Sequence, residues 1–390
     1  MTFLAVEDAV TRRPAYGVGF SYRFNVHREV MESRQLIDFL EIPAEDYTVD
    51  RRRQTGDSDE SLLQEAAREF PLIVHGTSAS VGSGEPATED WFQRNRALID
   101  RTPTAAYSDH LAFTRSGTRS VRSFVSVPYT DLGVTVTAAN IRKLKERLGV
   151  PVLVENVTYH FAVPGAQMTD GEFISRVAEE ADCGILLDIA NVHINATNHG
   201  YDPREFLDAI PGDRVVQAHF CGASNKNAYL LDTHFEPTQE EIWSLLEYAL
   251  NRTSLEALIL ERDRGYHPFR TVLDELWRAK ELFGRYRPAD RPGAAAPTAT
   301  APDAAHEFRD CAQEDRRSLA RFQGVLLRML ASPSFADRVF RGQETLADSG
   351  LDEPERKILA SIPRSEWKWL AHEVILDNER KRVMTSRGQN

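Results

Sequence analysis

Eight short apolar runs recur along the first 285 residues: GVGF (17–20), IDFLE (37–41), LIVH (72–75), TAAYSDH (104–110), PVLVE (151–155), GILLD (184–188), RVVQAH (214–219) and ALILE (257–261). Most are separated by stretches with helical apolar spacing, such as Phe92, Ala97 and Leu98, or Phe173, Val177 and Ala178. Near-continuous apolarity, rather than strict alternation, suits strands covered on both faces. Eight such strands alternating with helices predict a parallel (β/α)8 barrel.

The pattern changes after the last run. Residues 286–305 (YRPADRPGAAAPTATAPDAA) are rich in Pro, Ala and Thr and predict an extended linker. Beyond it, Leu319, Phe322, Leu326, Met329 and Leu330 return at helical spacing. Trp367, Leu370, Val374 and Ile375 mark another helix, and Pro354 suits a first helical turn. The expected organisation is a barrel over 1–285, a linker over 286–305 and a small helical domain over 306–390. No repeat longer than the βα unit is present.

The chemistry sits where the apolar runs end. His75, His110, Glu155, Asp188, His219 and Glu261 close six different runs, and Asp232 and His234 form a D-x-H pair in one connecting segment. A barrel converges its strand ends on one rim, where catalytic residues gather. One strand-end histidine is usually structural. Several carboxylates brought together without cations are costly to bury, so the set predicts a metal centre. Glu155 can bridge two metals, with His75 and His110 completing one site and Asp188, His219 and Glu261 a second. Asp232 and His234 point to a third, with Asn191 the best further ligand and His193 or His199 the alternatives. Mixed nitrogen and oxygen ligation without thiolate favours iron, manganese or zinc. Glu41 also ends a strand and suits a supporting role. Arg262 and Asp263 would orient Glu261 or a substrate carboxylate, or form a surface ion pair. His160 and His267 lie in loops beyond strand ends, as plain loop residues or as an acid or base near a substrate, and Cys221 reads as a small buried thiol. The GSGEP segment (82–86) lacks the Lys-Ser/Thr of a phosphate loop.

Bulk properties narrow the setting. The net charge of −12 argues against a general nucleic-acid binder. Residues 306–390 hold 15 Lys/Arg and 14 Asp/Glu, so the barrel region carries the acidic excess. No apolar run is long enough to span a membrane, and the first residues show no basic segment followed by a long apolar stretch, so secretion is not expected. Three scattered cysteines (Cys183, Cys221 and Cys311) fit a reducing cytoplasm rather than a disulfide framework.

In order and spacing, GVGF (17–20), FLEIPAEDY (39–47), HG (75–76), SDHLAF (108–113), VEN (154–156), LLDIANVHINATNHGYD (186–202), AHFCG (218–222), LLDTHFEP (230–237) and LERD (260–263) resemble the multinuclear non-heme iron-dependent oxidative enzymes, which include the methanobactin-type peptide maturase. The resemblance covers roughly residues 15–285. It implies an α/β fold, a (β/α)8 TIM barrel of the xylose-isomerase-like type, here with a C-terminal all-helical extension. It also implies His75, His110, Glu155, Asp188, Asn191, His219, Asp232, His234 and Glu261 as iron ligands, with Glu155, Asp188, His219 and Glu261 as the catalytic core. Three segments depart from the family pattern: EDY replaces ENY at Glu45–Tyr47, Ala190 and His193 replace an Asn and a Tyr, and HFCG replaces HLAG at His219–Gly222.

The activity implied is oxidation of a ribosomally synthesised precursor peptide by two or three irons of mixed Fe(II)/Fe(III) valence, with O2 as co-substrate. Cysteine is the favoured target, through C–H abstraction next to sulfur. Many relatives work with a separate leader-binding partner protein, which the helical extension would replace or dock; alternatively, the extension serves oligomerisation. Two other classes fit the ligand layout. One is a metal-dependent hydrolase or isomerase of the xylose-isomerase or endonuclease barrel type. The other is a non-enzymatic metal-binding scaffold, against which the open, complete ligand sets argue.

Overall fold

A computed structural model of the chain describes residues 17–48, 58–102, 104–117, 119–159, 161, 165–226, 229–286, 311–344, 346–364 and 367. Among these, the strands are β1 (Gly17–Ser21), β2 (Phe39–Pro43), β3 (Leu72–Gly76), β4 (Thr104–His110), β5 (Ala112–Ser116), β6 (Arg119–Ser126), β7 (Val152–Glu155), β8 (Gly184–Asp188), β9 (Val215–Phe220), β10 (Gly222–Lys226), β11 (Tyr229–Glu236) and β12 (Ala257–Leu260). Eight of them close a parallel barrel in the order β1-β12-β9-β8-β7-β4-β3-β2, and these are the eight apolar runs of the sequence. The (β/α)8 barrel is therefore present.

The other four strands form two antiparallel hairpins, β5–β6 and β10–β11. Each lies between a barrel strand and the next helix, which places it at the C-terminal rim. Their mixed sequences, AFTRS with RSVRSFVS and GASNK with YLLDTHFE, carry too few contiguous apolar residues to have stood out.

Alternation along the strands builds the barrel interior in layers. Phe39, Ile73, Leu153, Leu186, Ala257 and Ile259 form one apolar cluster. Two residues further along the same strands or just past their ends stand Glu41, His75, Glu155, Asp188 and Glu261. Phe39 fills the barrel so closely that a Cβ on Gly19 would lie 2.4 Å from its ring, which requires glycine there. A larger cluster joins the outer faces of the strands to the surrounding helices. Those helices start where their sequences cap them. Thr169 and Glu172 form a reciprocal capping box before Asp170–Ala181, and Thr130 accepts from Gly133 N before Asp131–Leu148. In helix Glu89–Arg101 the buried stripe runs through Trp91, Phe92, Asn95, Leu98 and Ile99, leaving Ala97 exposed.

Three further helices follow: Gln313–Ala331, Pro333–Phe340 and Glu353–Ser361. Leu319, Phe322, Leu326, Met329 and Leu330 are all buried, and Pro354 lies in the first turn after the Asp352 cap. These helices share an apolar core with Phe113, Val121, Val125 and Phe161 of the barrel region. The linker beyond Tyr286, His160, and Leu370, Val374 and Ile375 lie outside the described residues. No described helix is long and apolar enough to cross a membrane. Cys183, Cys221 and Cys311 are free thiols.

Candidate metal centre

The predicted side chains come together in four groups. His75, His110 and Glu155 form one, Glu155, Asp188, His219 and Glu261 a second, and Asp232 and His234 a third with Cys221; the last, His234, Glu261 and Asp263, joins the third to the second. Within each group the potential ligand atoms lie within 4.8 Å of one another. Glu155 belongs to two groups. Its Oε2 is 3.5 Å from His75 Nε2 and 3.3 Å from His110 Nε2, and its Oε1 is 3.3 Å from His219 Nδ1. Glu261 Oε2 is 2.9 Å from His219 Nδ1, and Glu261 Oε1 is 3.3 Å from His234 Nδ1. His234 Nε2 is 2.7 Å from Asp232 Oδ1.

Each of the four imidazoles is held from outside the cluster through its other ring nitrogen. His75 Nδ1 is 2.8 Å from Ser108 Oγ, and His110 Nδ1 donates to the Gly76 carbonyl at 3.1 Å. His219 Nε2 donates to Glu41 Oε2 at 2.9 Å, and His234 Nδ1 to Asp263 Oδ2 at 3.0 Å. A carbonyl or carboxylate can only accept, so His110, His219 and His234 carry a proton on the outward nitrogen. Their inward nitrogens face the cluster, as metal-ligating histidines do when an outer acceptor fixes ring and tautomer. Arg23 extends one such chain by ion-pairing with Asp263.

Buried atoms facing the cluster lack hydrogen-bond partners. They are His75 Nε2, Glu155 Oε2, Asp188 Oδ2, Asn191 Oδ1, His219 Nδ1, His234 Nε2 and Glu261 Oε2. Some approach one another within 3 Å without the alignment of an N–H···O bond, so they converge on shared points instead of pairing. Buried polar atoms are normally satisfied, and an unpaired one costs about 1–3 kcal/mol. Seven such atoms, mixing imidazole nitrogen with carboxylate and amide oxygen, fit cations of the iron, manganese and zinc type.

The electrostatics of the cluster show the same need for positive charge. Burial alone would lower the His219 and His234 pKa values, but the surrounding carboxylates hold both well above the ordinary range. Glu41, Glu261 and Glu155 act on His219, and Asp232 and Glu261 on His234. Burial would raise Glu155, yet His110, His219 and His75 bring it down to about 2. Glu261 is likewise held well below its usual range, against burial, by His234 and His219. Asp188 goes the other way: burial, then Asp232, Glu155 and Glu261, push it well up. Burial also lowers His75.

Asn191 is placed by its helix. Asp188 caps Ile189–His199 by accepting from Asn191 N at 2.8 Å, and Asn191 Nδ2 donates to the Asn156 carbonyl at 3.1 Å, leaving Oδ1 free. The two alternatives lie elsewhere. His193 lines an outer cavity with Tyr201, Arg204 and Glu241, and His199 stacks on Tyr159 and contacts its carbonyl. Asp232 and His234 ride on β11, where His234 has φ +50°, a left-handed conformation that costs a non-glycine residue strain.

Several side chains take roles the sequence left open. Arg262 is fully buried, pairs with Glu275 at 2.5 Å and reaches the Phe235 carbonyl, so it braces the loop rather than meeting substrate or solvent. Asp263 orients His234, not Glu261. His267 is exposed and Cys221 is buried, with Sγ 4.0 Å from Asp232 Oδ1. Phe124 went unnoticed: its ring stacks on His110 with centroids 3.7 Å apart and planes 14° from parallel. Ser108 was legible in principle, two residues before His110 and so on the same face of β4. Arg23 left no signal beyond following β1.

A sequence model of the RiPP precursor modification enzymes MbnB/TglH/ChrH matches residues 17–283. The chain belongs to this family. It is therefore a member of an enzyme family that modifies ribosomally synthesised precursor peptides. It is 33% identical over 279 residues to the UPF0276 protein of Caulobacter vibrioides (strain NA1000 / CB15N), spanning 71% of this chain and 98% of that one. The UPF0276 protein of Rhizorhabdus wittichii is 34% identical over 246 residues, spanning 63% and 86%. Among solved structures, the IolI protein with a bound zinc atom aligns at a TM-score of 0.44 and 12% identity, covering 69% of this chain and 97% of that one. D-psicose 3-epimerase from Clostridium cellulolyticum H10 aligns at 0.44 and 13%, covering 69% and 98%.

Proposed function

We propose that this enzyme carries out an iron- and O2-dependent oxidation of a precursor peptide in the cytoplasm, with cysteine the favoured target and C–H abstraction next to sulfur the chemical step. The observation that carries the proposal is the set of seven unpaired, buried ligand-type atoms at the barrel mouth, three of them on imidazoles that are each tied down from outside. His75, His110 and Glu155 would hold one metal. Asp188, His219 and Glu261 would hold a second together with Glu155, and these four would form the catalytic core. Asn191, Asp232 and His234 would hold a third. Two or three irons of mixed Fe(II)/Fe(III) valence at these positions would supply the O2 chemistry and an acceptor for a substrate thiolate.

The chain's own residues prepare the place. Glu41, Ser108, the Gly76 carbonyl and Asp263 hold the four imidazoles so that no ring must reorient on loading. Arg23 neutralises Asp263, which keeps that carboxylate as a hydrogen-bond acceptor for His234. The substrate meets an apolar rim: Phe24 and Phe235 are large exposed hydrophobics on rim segments, next in sequence to Arg23 and His234. An extended peptide can lie on such side chains while one residue enters the mouth. A leader-binding partner protein remains an expected second partner.

Elemental analysis and Mössbauer spectroscopy of anaerobically purified protein test the reading. Two to three irons per chain, some ferric, followed by a mass change in a precursor peptide under O2, are expected. Zinc or manganese without coupled iron would transfer the site to the hydrolase or isomerase class.

A further inference from the structure

The C-terminal helices touch the barrel at the loops that carry one part of the centre. Helix Gln313–Ala331 lies against two of them. The first is the segment after β3, which leaves the sheet just beyond His75. Gln323, fully buried, clasps it from both ends: Nε2 donates to the Gly82 carbonyl at 2.6 Å and Oε1 accepts from Gly84 N at 2.8 Å. A Cβ on Gly84 would lie 2.5 Å from Ala320 N, so the helix seats only on glycine. This is the GSGEP segment whose function the sequence left unassigned.

The second is the β5–β6 hairpin, which follows His110. Phe113 pairs with Val125 across the hairpin and Val121 shares their face by alternation; all three enter the apolar core of the C-terminal helices. Ser116 Oγ donates to the Ala320 carbonyl at 2.9 Å. Phe124 points to the opposite face and there stacks on His110. The two loops are also joined to each other, by Gly82 N donating to the Ala112 carbonyl and Thr114 N to Ser80 Oγ.

We infer that the C-terminal helices brace the His75–His110–Glu155 site, with Phe124 the positioning residue through which they act. His110 has one outer hydrogen bond, to a backbone carbonyl, which fixes the direction of Nδ1 but not the tilt of the ring. The Phe124 face supplies the second restraint. Phe124 can hold that position only while the hairpin's other face is covered, and the helices cover it. The contacts of helix Gln313–Ala331 described above fall on the segments that follow His75 and His110, so the effect is expected first at that site. The inference rests on the metal-centre reading.

Co(II) added alone to metal-free, full-length protein is the test, read by ligand-field absorption and by the paramagnetically shifted imidazole N–H resonances. Phe124→Ala is expected to weaken Co(II) binding about tenfold, the scale seen when an outer partner of a metal ligand is removed. It should also speed solvent exchange of one imidazole N–H, that of His110. Phe124→Leu keeps the bulk of the hairpin and should give a smaller change at the same resonance. Gln323→Leu, remote from the metal, should move that resonance in the same direction, and the Phe124→Ala/Gln323→Leu pair should change affinity by less than the product of the single effects. Indifference of Co(II) affinity and of the resonance to Gln323→Leu, or fully multiplicative effects in the pair, would overturn the brace while leaving the metal centre standing. Failure of the unsubstituted chain to take up Co(II) would overturn the metal-centre reading and the brace with it.

Discussion

Two hairpins stand on the same rim of the barrel, β5–β6 after the strand of His110 and β10–β11 after the strand of His219, and they serve the centre differently. The β10–β11 hairpin carries chemistry itself: Asp232 and His234 lie on β11, the latter in a left-handed backbone. Its supports come from within the barrel. Asn198 exchanges two hydrogen bonds with Leu230, Gln239 does the same with Ala223, and Arg262 ties the Phe235 carbonyl to Glu275. The β5–β6 hairpin contributes no ligand-type group to the clusters. It offers an aromatic face to a histidine and leans on helices some 200 residues later in the chain. A side chain that must bond a cation is specified by its type, whereas one that must only hold a neighbour is specified by its surroundings.

The sharpest break of this contrast is to remove what both sides share. Glu155→Ala, or His110→Ala or Glu261→Ala, should lower bound metal and abolish peptide oxidation while far-ultraviolet circular dichroism stays that of a barrel; unchanged turnover would refute the ligand assignment. Next comes the ligand-bearing hairpin alone. His234→Ala should cost about one metal per chain by elemental analysis and leave the first two groups loaded, because neither includes His234 as a necessary member. Loss of every metal would show that the groups bind as one. Arg262→Met addresses the hairpin's support: leaving Glu275 buried without its partner should destabilise the fold by about 3–5 kcal/mol in urea unfolding, against the few tenths expected of an exposed pair such as Arg270–Asp274. The smallest effect belongs to the rim. Phe235→Ala should raise KM for a precursor peptide several-fold with little change in kcat, since its ring is half exposed and clear of the ligand atoms; a fall in kcat instead would place it in the chemistry.

The C-terminal extension also changes what a truncation can report. Residues 306–390 read as a small helical domain apart from the barrel, and deleting them is the direct way to ask what they do. The described helices share a core with Phe113, Val121, Val125 and Phe161, so their removal would expose that apolar face of the hairpin. Point substitutions at Gln323 or Phe124 ask the question without that cost.

Much of the protein was legible in its residues. Strands buried on both faces leave a continuous apolar imprint, and all eight barrel strands did so. Ligand-type residues at strand ends are exceptional against that background, which is why His75, His110, Glu155, Asp188, His219 and Glu261 stood out together. The hairpins were not legible, because two-stranded ribbons at a rim are half solvated and carry mixed sequences. Neither were the roles of neighbours. Arg262 and Asp263 are adjacent in sequence, yet one is locked into a buried ion pair and the other orients His234. Asn191, His193 and His199 share one helix, and only its packing decided that Asn191 is buried beside Asp188 while His193 lines an outer cavity and His199 stacks on Tyr159.

By itself, then, the sequence determined which residue types stand at the strand ends and that the strands must bury both faces, because hydrophobic period and ligand chemistry are local properties of the chain. Tertiary structure alone decided which nitrogen of each imidazole faces inward, which carboxylates hold and which are held, and what the distant helices lean on. Those depend on directions and distances between segments far apart in the chain, and no spacing along it records them.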